Sequence, residues 1–110
     1  MEITFQNNKI RKLCNDSKRA FREHGKAVAE KLRRRLDDLR AARCLADMRN
    51  TAGRIEELTA DHKGQLSLHL NGKRLVFKPG NEPMPLKDDG GLDWQNVTAV
   101  TIIEIEDYHG

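Results

Sequence analysis

The stretch that decides the fold is QLSLHLNGKRLVF, residues 65–77. Its alternation of apolar and polar residues is typical of two β-strands. Between them lies Asn71-Gly72, which predicts a two-residue turn because both residues tolerate the positive φ of a type I′ turn. A turn of this length fixes the register, so Leu66 is expected opposite Phe77.

This register predicts two unlike faces for the hairpin. One is apolar and consists of Leu66, Leu68, Leu75 and Phe77. The other brings Ser67, His69 and Arg74 side by side, and core packing does not need these groups. The polar face is therefore either an ordinary solvated surface or a functional one.

Upstream of the hairpin the periodicity is helical. A short strand at Ile3 to Phe5 is followed by a helix that Asn7 or Asn8 caps, with a break near residues 15–17. An amphipathic helix is expected from about Lys26 to Arg43, with an apolar stripe of Val28, Leu32, Leu36 and Leu39. The predicted class is α+β, with the N-terminal strand and two helices packed on one face of an antiparallel sheet.

The chain closes with a loop and a strand. Residues 79–96 hold all three prolines and four acids, and a connection of this length is either functional or disordered. Within it, Trp94 is expected to anchor the segment against the body rather than to stack on a base. The final strand is expected to direct one set of side chains to the core (Val97, Ala99, Ile103 and Ile105) and another away from it (Glu104, Glu106 and Tyr108).

Composition narrows the class of protein. The chain has 110 residues, 12.6 kDa, 34% charged residues and a mean hydropathy of −0.75, which predicts one domain over residues 1–110 and no membrane span. The start has no signal-peptide pattern, so a cytoplasmic protein is expected. Cys14 and Cys44 are predicted to be reduced packing residues. Neither zinc-ligand spacing nor a Gly-rich phosphate loop is present, so no metal or other cofactor is expected.

The charge is unevenly distributed. Residues 1–58 hold 15 Lys/Arg and 9 Asp/Glu, a net of +6, whereas residues 59–110 have a net of −3. Residues 9–35 alone hold 11 basic residues and 3 acids, a balance that attracts a phosphate backbone. The alternative is a self-neutralised helix face, because Glu30 with Arg34, Arg33 with Asp37 and Arg34 with Asp38 are spaced as i, i+4 pairs.

Three stretches resemble the RelE/ParE superfamily of toxins from type II toxin-antitoxin systems, and within it the HigB plasmid maintenance killer proteins. They are ITFQNNKIRKL (residues 3–13), TADHKGQLSLHLNGKRLVF (59–77) and EDYH (106–109). The resemblance implies a bacterial mRNA interferase, which cleaves messages on the ribosome and is silenced by a helix-turn-helix, HigA-like antitoxin.

The resemblance also implies roles for particular residues. His109 would be the acid or base in phosphoryl transfer to the 2′-OH, with Tyr108 and Asp107 as its partners and Arg74 as the phosphate clamp. Further contacts to RNA are expected from a set of polar and basic residues, namely Lys73, His69, His62, Lys63, Asn71, Arg33 and Arg34.

The chain departs from this family in places. Glu56 stands where relatives often carry histidine, Thr59 where they carry lysine, and Lys73 where an aromatic residue precedes the arginine. The first two departures remove expected catalytic residues and favour a rival, a ParE-type gyrase inhibitor without nuclease residues. A non-catalytic RNA-binding module is the third alternative, against which the 5% aromatic content argues. The 79–96 loop is expected either to contact the antitoxin or to shield the basic helices.

Overall fold

The computed structural model describes residues 1–107. The strands are β1 (Glu2–Phe5), β2 (Glu56–Glu57), β3 (Leu66–His69), β4 (Lys73–Pro79) and β5 (Ala99–Asp107), and the helices are α1 (Asn8–Asn15) and α2 (Ser17–Ala41). Single 3-10 helices lie at Leu45–Asn50, Ala60–His62 and Trp94–Asn96.

The predicted α+β class is confirmed, with a five-stranded sheet in the order β1-β5-β4-β3-β2. The sheet is mixed, because β1 runs parallel to β5 with Ile3 beside Val100, while the other neighbours are antiparallel. A parallel neighbour needs a long crossover, and here nearly the whole chain, including both helices, lies between the two strands. Local periodicity carries no signal for such a pairing.

The hairpin has the register predicted from its turn. Leu66 lies opposite Phe77 and His69 opposite Arg74. Asn71 and Gly72 have φ values of 60° and 90°, as a type I′ turn requires. The apolar face of the hairpin joins the buried side chains of the helices in one core.

Each helix begins at a side-chain cap. The Asn7 side chain accepts a hydrogen bond from the backbone N–H of Ile10, and Asp16 caps α2 in the same way. Gly25, with φ 84° and ψ 168°, interrupts α2, so residues 17–24 and 26–41 are two helical arms. The predicted apolar stripe lies on the second arm and is buried at Val28, Leu32, Leu36 and Leu39.

The predicted facing of the last strand is wrong over its first half. Leu75 pairs with Ile105 but Phe77 pairs with Ile102, so Ile103 is an extra residue in β5, a bulge. The bulge shifts the phase, and Val100 and Ile102 fill the core instead of Ala99 and Ile103. Beyond the bulge, Ile105 faces the core side as predicted, and Glu104 and Glu106 face away from it.

Segment 79–96 packs on the body of the protein. Leu86 and Leu92 form an isolated β-bridge within it. Trp94 packs against the core, donates a hydrogen bond from Nε1 to Glu57 at 2.7 Å, and lies under the Arg49 guanidinium at 4.1 Å. This geometry agrees with the anchoring role. In the described part of the chain, no ion pair joins an acid of this segment to α1 or α2, so the shielding hypothesis has no contact to support it.

Candidate functional site

Titratable side chains gather on the sheet face that points away from the helices. Cross-strand register places Arg74 of β4 beside Glu106 of β5 and His69 of β3, and Glu56 of β2 lies next along the sheet. His62 joins them from the 3-10 turn before β3. We call these five residues, Glu56, His62, His69, Arg74 and Glu106, the polar cluster.

The ion pair of Arg74 and Glu106 lies at the centre of the polar cluster. Both Nε, at 3.1 Å, and Nη2 of Arg74 donate to the same carboxylate oxygen, and the two side chains are only 18% and 25% exposed. These bonds from Arg74 hold the pKa of Glu106 below its ordinary value, so its carboxylate stays ionised at neutral pH. The predicted phosphate clamp is thus engaged by a carboxylate.

His62 contacts the other carboxylate oxygen of Glu106. Its Nε2 lies 3.4 Å from Glu106 Oε2, and its Nδ1 lies 3.0 Å from Oε1 of Gln65. The carboxylate of Glu106 therefore lies between one guanidinium and one imidazole.

A carboxylate and an imidazole meet at the β2 side of the polar cluster. His69 Nε2 lies 3.4 Å from Glu56 Oε1, and the Glu56 side chain is 49% exposed. A carboxylate in contact with an imidazole is a common arrangement for proton transfer to or from a bound hydroxyl. The position is open to solvent and accessible to a ligand.

Buried groups hold the backbone of His69 in place. Arg35, which is 5% exposed, reaches from α2 and donates from Nε to the His69 carbonyl at 2.9 Å. The His69 N–H donates to the Gly53 carbonyl at 2.8 Å. A Cβ on Gly53 would lie 2.9 Å from Cδ of Arg35, so only glycine allows this close approach.

Lys73 and Asp107 lie on the opposite face of the same two strands. Lys73 Nζ is 2.8 Å from His24 Nδ1 on α2 and 3.6 Å from Asp107 Oδ1. Burial and then the charge of Lys73 lower the pKa of His24, so its imidazole is neutral and accepts a hydrogen bond from the ammonium. The structure thus places Lys73 and Asp107 on the other face from Arg74, although the resemblance had put Asp107 in one catalytic set with Arg74.

The other predicted contact residues are dispersed. Asn71 is exposed in the hairpin turn, and Lys63 is exposed beside segment 79–96. Arg33 and Arg34 are exposed on α2 and do not reach the polar cluster. Tyr108 and His109 lie outside the described residues.

Sequence reasoning missed Glu106 and treated Glu56 as a lost position. Glu106 could have been found, because the two-residue turn fixes the face of Arg74 and the EIE alternation predicts a carboxylate on the next strand. Glu56 could not, since its contact with His69 depends on how β2, only two residues long, pairs with β3.

Residues 1–107 contain neither a group of metal-ligating side chains nor a membrane-crossing helix. No group of three His, Cys, Asp or Glu side chains in this range is arranged to hold a metal ion. None of the helices described there combines the length and apolar composition needed to cross a bilayer.

Comparison with solved structures supports the fold. The whole chain aligns with 98% of a chain in the YoeB-YefM complex from Staphylococcus aureus, at 18% identity and a TM-score of 0.55. A heterotetrameric YoeB-YefM toxin-antitoxin complex from the same organism gives 19% identity, the same coverage and a TM-score of 0.53. No family model and no curated protein matches the sequence. The chain therefore shares its fold with a chain of these YoeB-YefM complexes.

Proposed function

We propose that this protein is the toxin of a type II toxin-antitoxin system and cleaves RNA on the sheet face that carries the polar cluster. The observation that carries this proposal is the convergence of a guanidinium, two imidazoles and two carboxylates on one face of the sheet. The shared fold with a chain of toxin-antitoxin complexes supports it. On the sequence resemblance, we propose more specifically that it is a HigB-like interferase that acts on ribosome-bound mRNA.

Phosphoryl transfer to the 2′-OH needs a base on that hydroxyl and cations on the phosphate. The pair of Glu56 and His69 supplies a carboxylate and an imidazole for the first task. Arg74 supplies a planar fork of donors for the second. The proton for the leaving 5′ oxygen is assigned to His109 on the resemblance alone.

Glu106 sets the strength of the phosphate site. A phosphate that approaches Arg74 must share the guanidinium with a carboxylate that already accepts two of its bonds. Neutralising this carboxylate in Glu106→Gln therefore favours binding of the scissile phosphate, since the competing negative charge is gone. Glu106 in this scheme is a positioning residue for Arg74.

The test compares wild type with Arg74→Ala, Glu56→Gln and His109→Ala in an induced bacterial host, with transcript ends mapped. Loss of Arg74 or Glu56 is expected to slow cleavage by about a hundredfold or more. Arg43→Ala, an exposed arginine outside the polar cluster, is the control and should cleave like wild type. Undiminished growth arrest in Arg74→Ala with no message cut would overturn the proposal, and arrest with DNA breaks would identify a gyrase inhibitor.

The proposed partners are a HigA-like antitoxin, mRNA and the ribosome, in the bacterial cytoplasm. Segment 79–96 remains a proposed antitoxin contact, because Met84 and Leu86 are exposed beside a groove of about 480 Å³ that also reaches Leu58 and Leu66. A helix-turn-helix protein encoded beside this gene would be the candidate antitoxin, and its co-expression should restore growth. Restoration that persists after residues 81–92 are deleted would exclude this segment as the contact.

A further inference from the structure

A second charged surface lies on α2, where Gly25 bends the helix. A cleft of about 660 Å³, open to solvent, lies between the two arms of α2. We call it the kink cleft. Residues from both arms line it, including Lys18, Phe21, Arg22, Lys26, Ala29 and Arg33. The kink cleft shares no residue with the polar cluster.

The cations of the kink cleft are not neutralised by their helix. Of the three i, i+4 pairs that the sequence allows on α2, none is among the ion pairs described in residues 1–107. The ion pairs described on α2 are instead Arg35 with Asp38 and Arg40 with Asp37, both further along the second arm.

Two acids also line the kink cleft, but one is already engaged. Asp16 accepts the backbone N–H groups of Lys18 and Arg19 as the helix cap, and Glu30 is the other. In residues 1–107, no ion pair is formed by the four cations of the cleft. The cleft therefore presents an excess of positive charge to solvent.

Phe21 gives the kink cleft a feature that charge alone does not explain. Its side chain is 52% exposed, although burial is the usual state of phenylalanine. An accessible aromatic ring among lysines and arginines is the arrangement by which proteins hold single-stranded nucleic acid, with a base on the ring and phosphates on the cations.

We propose that the kink cleft binds single-stranded RNA, with a base stacked on Phe21 and phosphates on Arg22 and Lys26. This extends the proposed function, since the RNA would be held at a surface separate from the cleaving face. A second copy of this chain is the rival occupant, because segment 79–96 offers exposed Met84 and Leu86 among acids. RNA is favoured because residues 9–35 hold 11 basic residues and 3 acids, so the excess of basic residues is not confined to those that line the cleft.

The test measures equilibrium binding of a short, fluorescently labelled 2′-O-methyl RNA, which lacks the nucleophilic hydroxyl and so separates binding from cleavage. Phe21→Ala should weaken binding at least about fivefold, while Phe21→Trp should preserve it and Phe21→Leu should not. Arg22→Ala/Lys26→Ala should lower the slope of log K against log salt by about 1.4. The charge-matched control is Arg43→Ala/Lys87→Ala, outside the cleft.

The outcomes are distinct. Wild-type affinity in both Phe21→Ala and Arg22→Ala/Lys26→Ala would overturn the proposal, as would a loss no larger than in the charge-matched control. Unchanged RNA affinity with loss of self-association in sedimentation would assign the cleft to a second copy instead. In the Arg74→Ala background, replacing Phe21 should still weaken RNA binding. The binding test therefore stays valid even if the polar cluster does not cleave RNA.

Discussion

The ion pair at the centre of the polar cluster yields a quantitative prediction. Arg74 and Glu106 are 18% and 25% exposed, so solvent screens their attraction less than it screens a surface pair. Their two bonds share one carboxylate oxygen and count as one strong charge-assisted interaction, worth about 1.5 kcal/mol. A double-mutant cycle of Arg74→Ala and Glu106→Ala should therefore give a coupling free energy of about 1.5 kcal/mol.

The assay is urea unfolding followed by circular dichroism for wild type, both single variants and the double variant. Arg74 lowers the pKa of Glu106 below its ordinary 4.5, so the coupling should be complete at neutral pH and disappear as the pH falls through the lowered pKa. Arg40 with Asp37, a pair 50% and 63% exposed, is the comparison and should couple by about 0.5 kcal/mol or less. A coupling below about 0.3 kcal/mol for Arg74 and Glu106 at neutral pH would refute the reasoning.

Two glycine substitutions and one labelling experiment test other parts of the structure. Gly53→Ala should lower the free energy of unfolding by about 1–3 kcal/mol, because its Cβ would lie 2.9 Å from Cδ of Arg35; an unchanged urea midpoint would contradict this packing. Gly72→Ala has open space but a φ of 90°, so it should cost about 1 kcal/mol through backbone strain alone, measured in the same way. Burial raises the pKa of Cys14 to about 11, so in Cys44→Ser its thiol should react with a disulfide reagent much more slowly at neutral pH than in urea; equal rates would show it exposed.

The hairpin could be predicted in full because every step was local. A two-residue turn leaves one register, and alternation then assigns each side chain to a face. The same logic applied to residues 97–108 failed over the first half of β5, since one extra residue at Ile103 reverses the alternation. A bulge at that point has no marker in the composition of the strand, whereas Asn71-Gly72 marks its turn.

The candidate site was predicted in part, for a related reason. The resemblance grouped Asp107 with Arg74 because both lie in matching motifs, but a motif records order along the chain and not the face of a strand. Glu106, one residue earlier, is the residue that pairs with Arg74 and lies on the same face of the sheet. The charge pairs on α2 also differ from expectation, because i, i+4 spacing permits several partners and Asp37 and Asp38 take arginines three residues away instead.

Side chains alternate between the two faces of the sheet along β4 and β5. This alternation separates two groups of charged residues that are neighbours in the sequence. Lys73 and Asp107 face α2, where Lys73 reaches His24, the residue before the bend at Gly25. Arg74 is one residue from Lys73 but faces the side of the sheet that points away from α2. The first group therefore ties the shorter arm of α2 to the sheet, which fixes one wall of the kink cleft. The proposed RNA chemistry belongs to the second group, and the two proposed RNA surfaces are joined through the sheet rather than by a shared side chain.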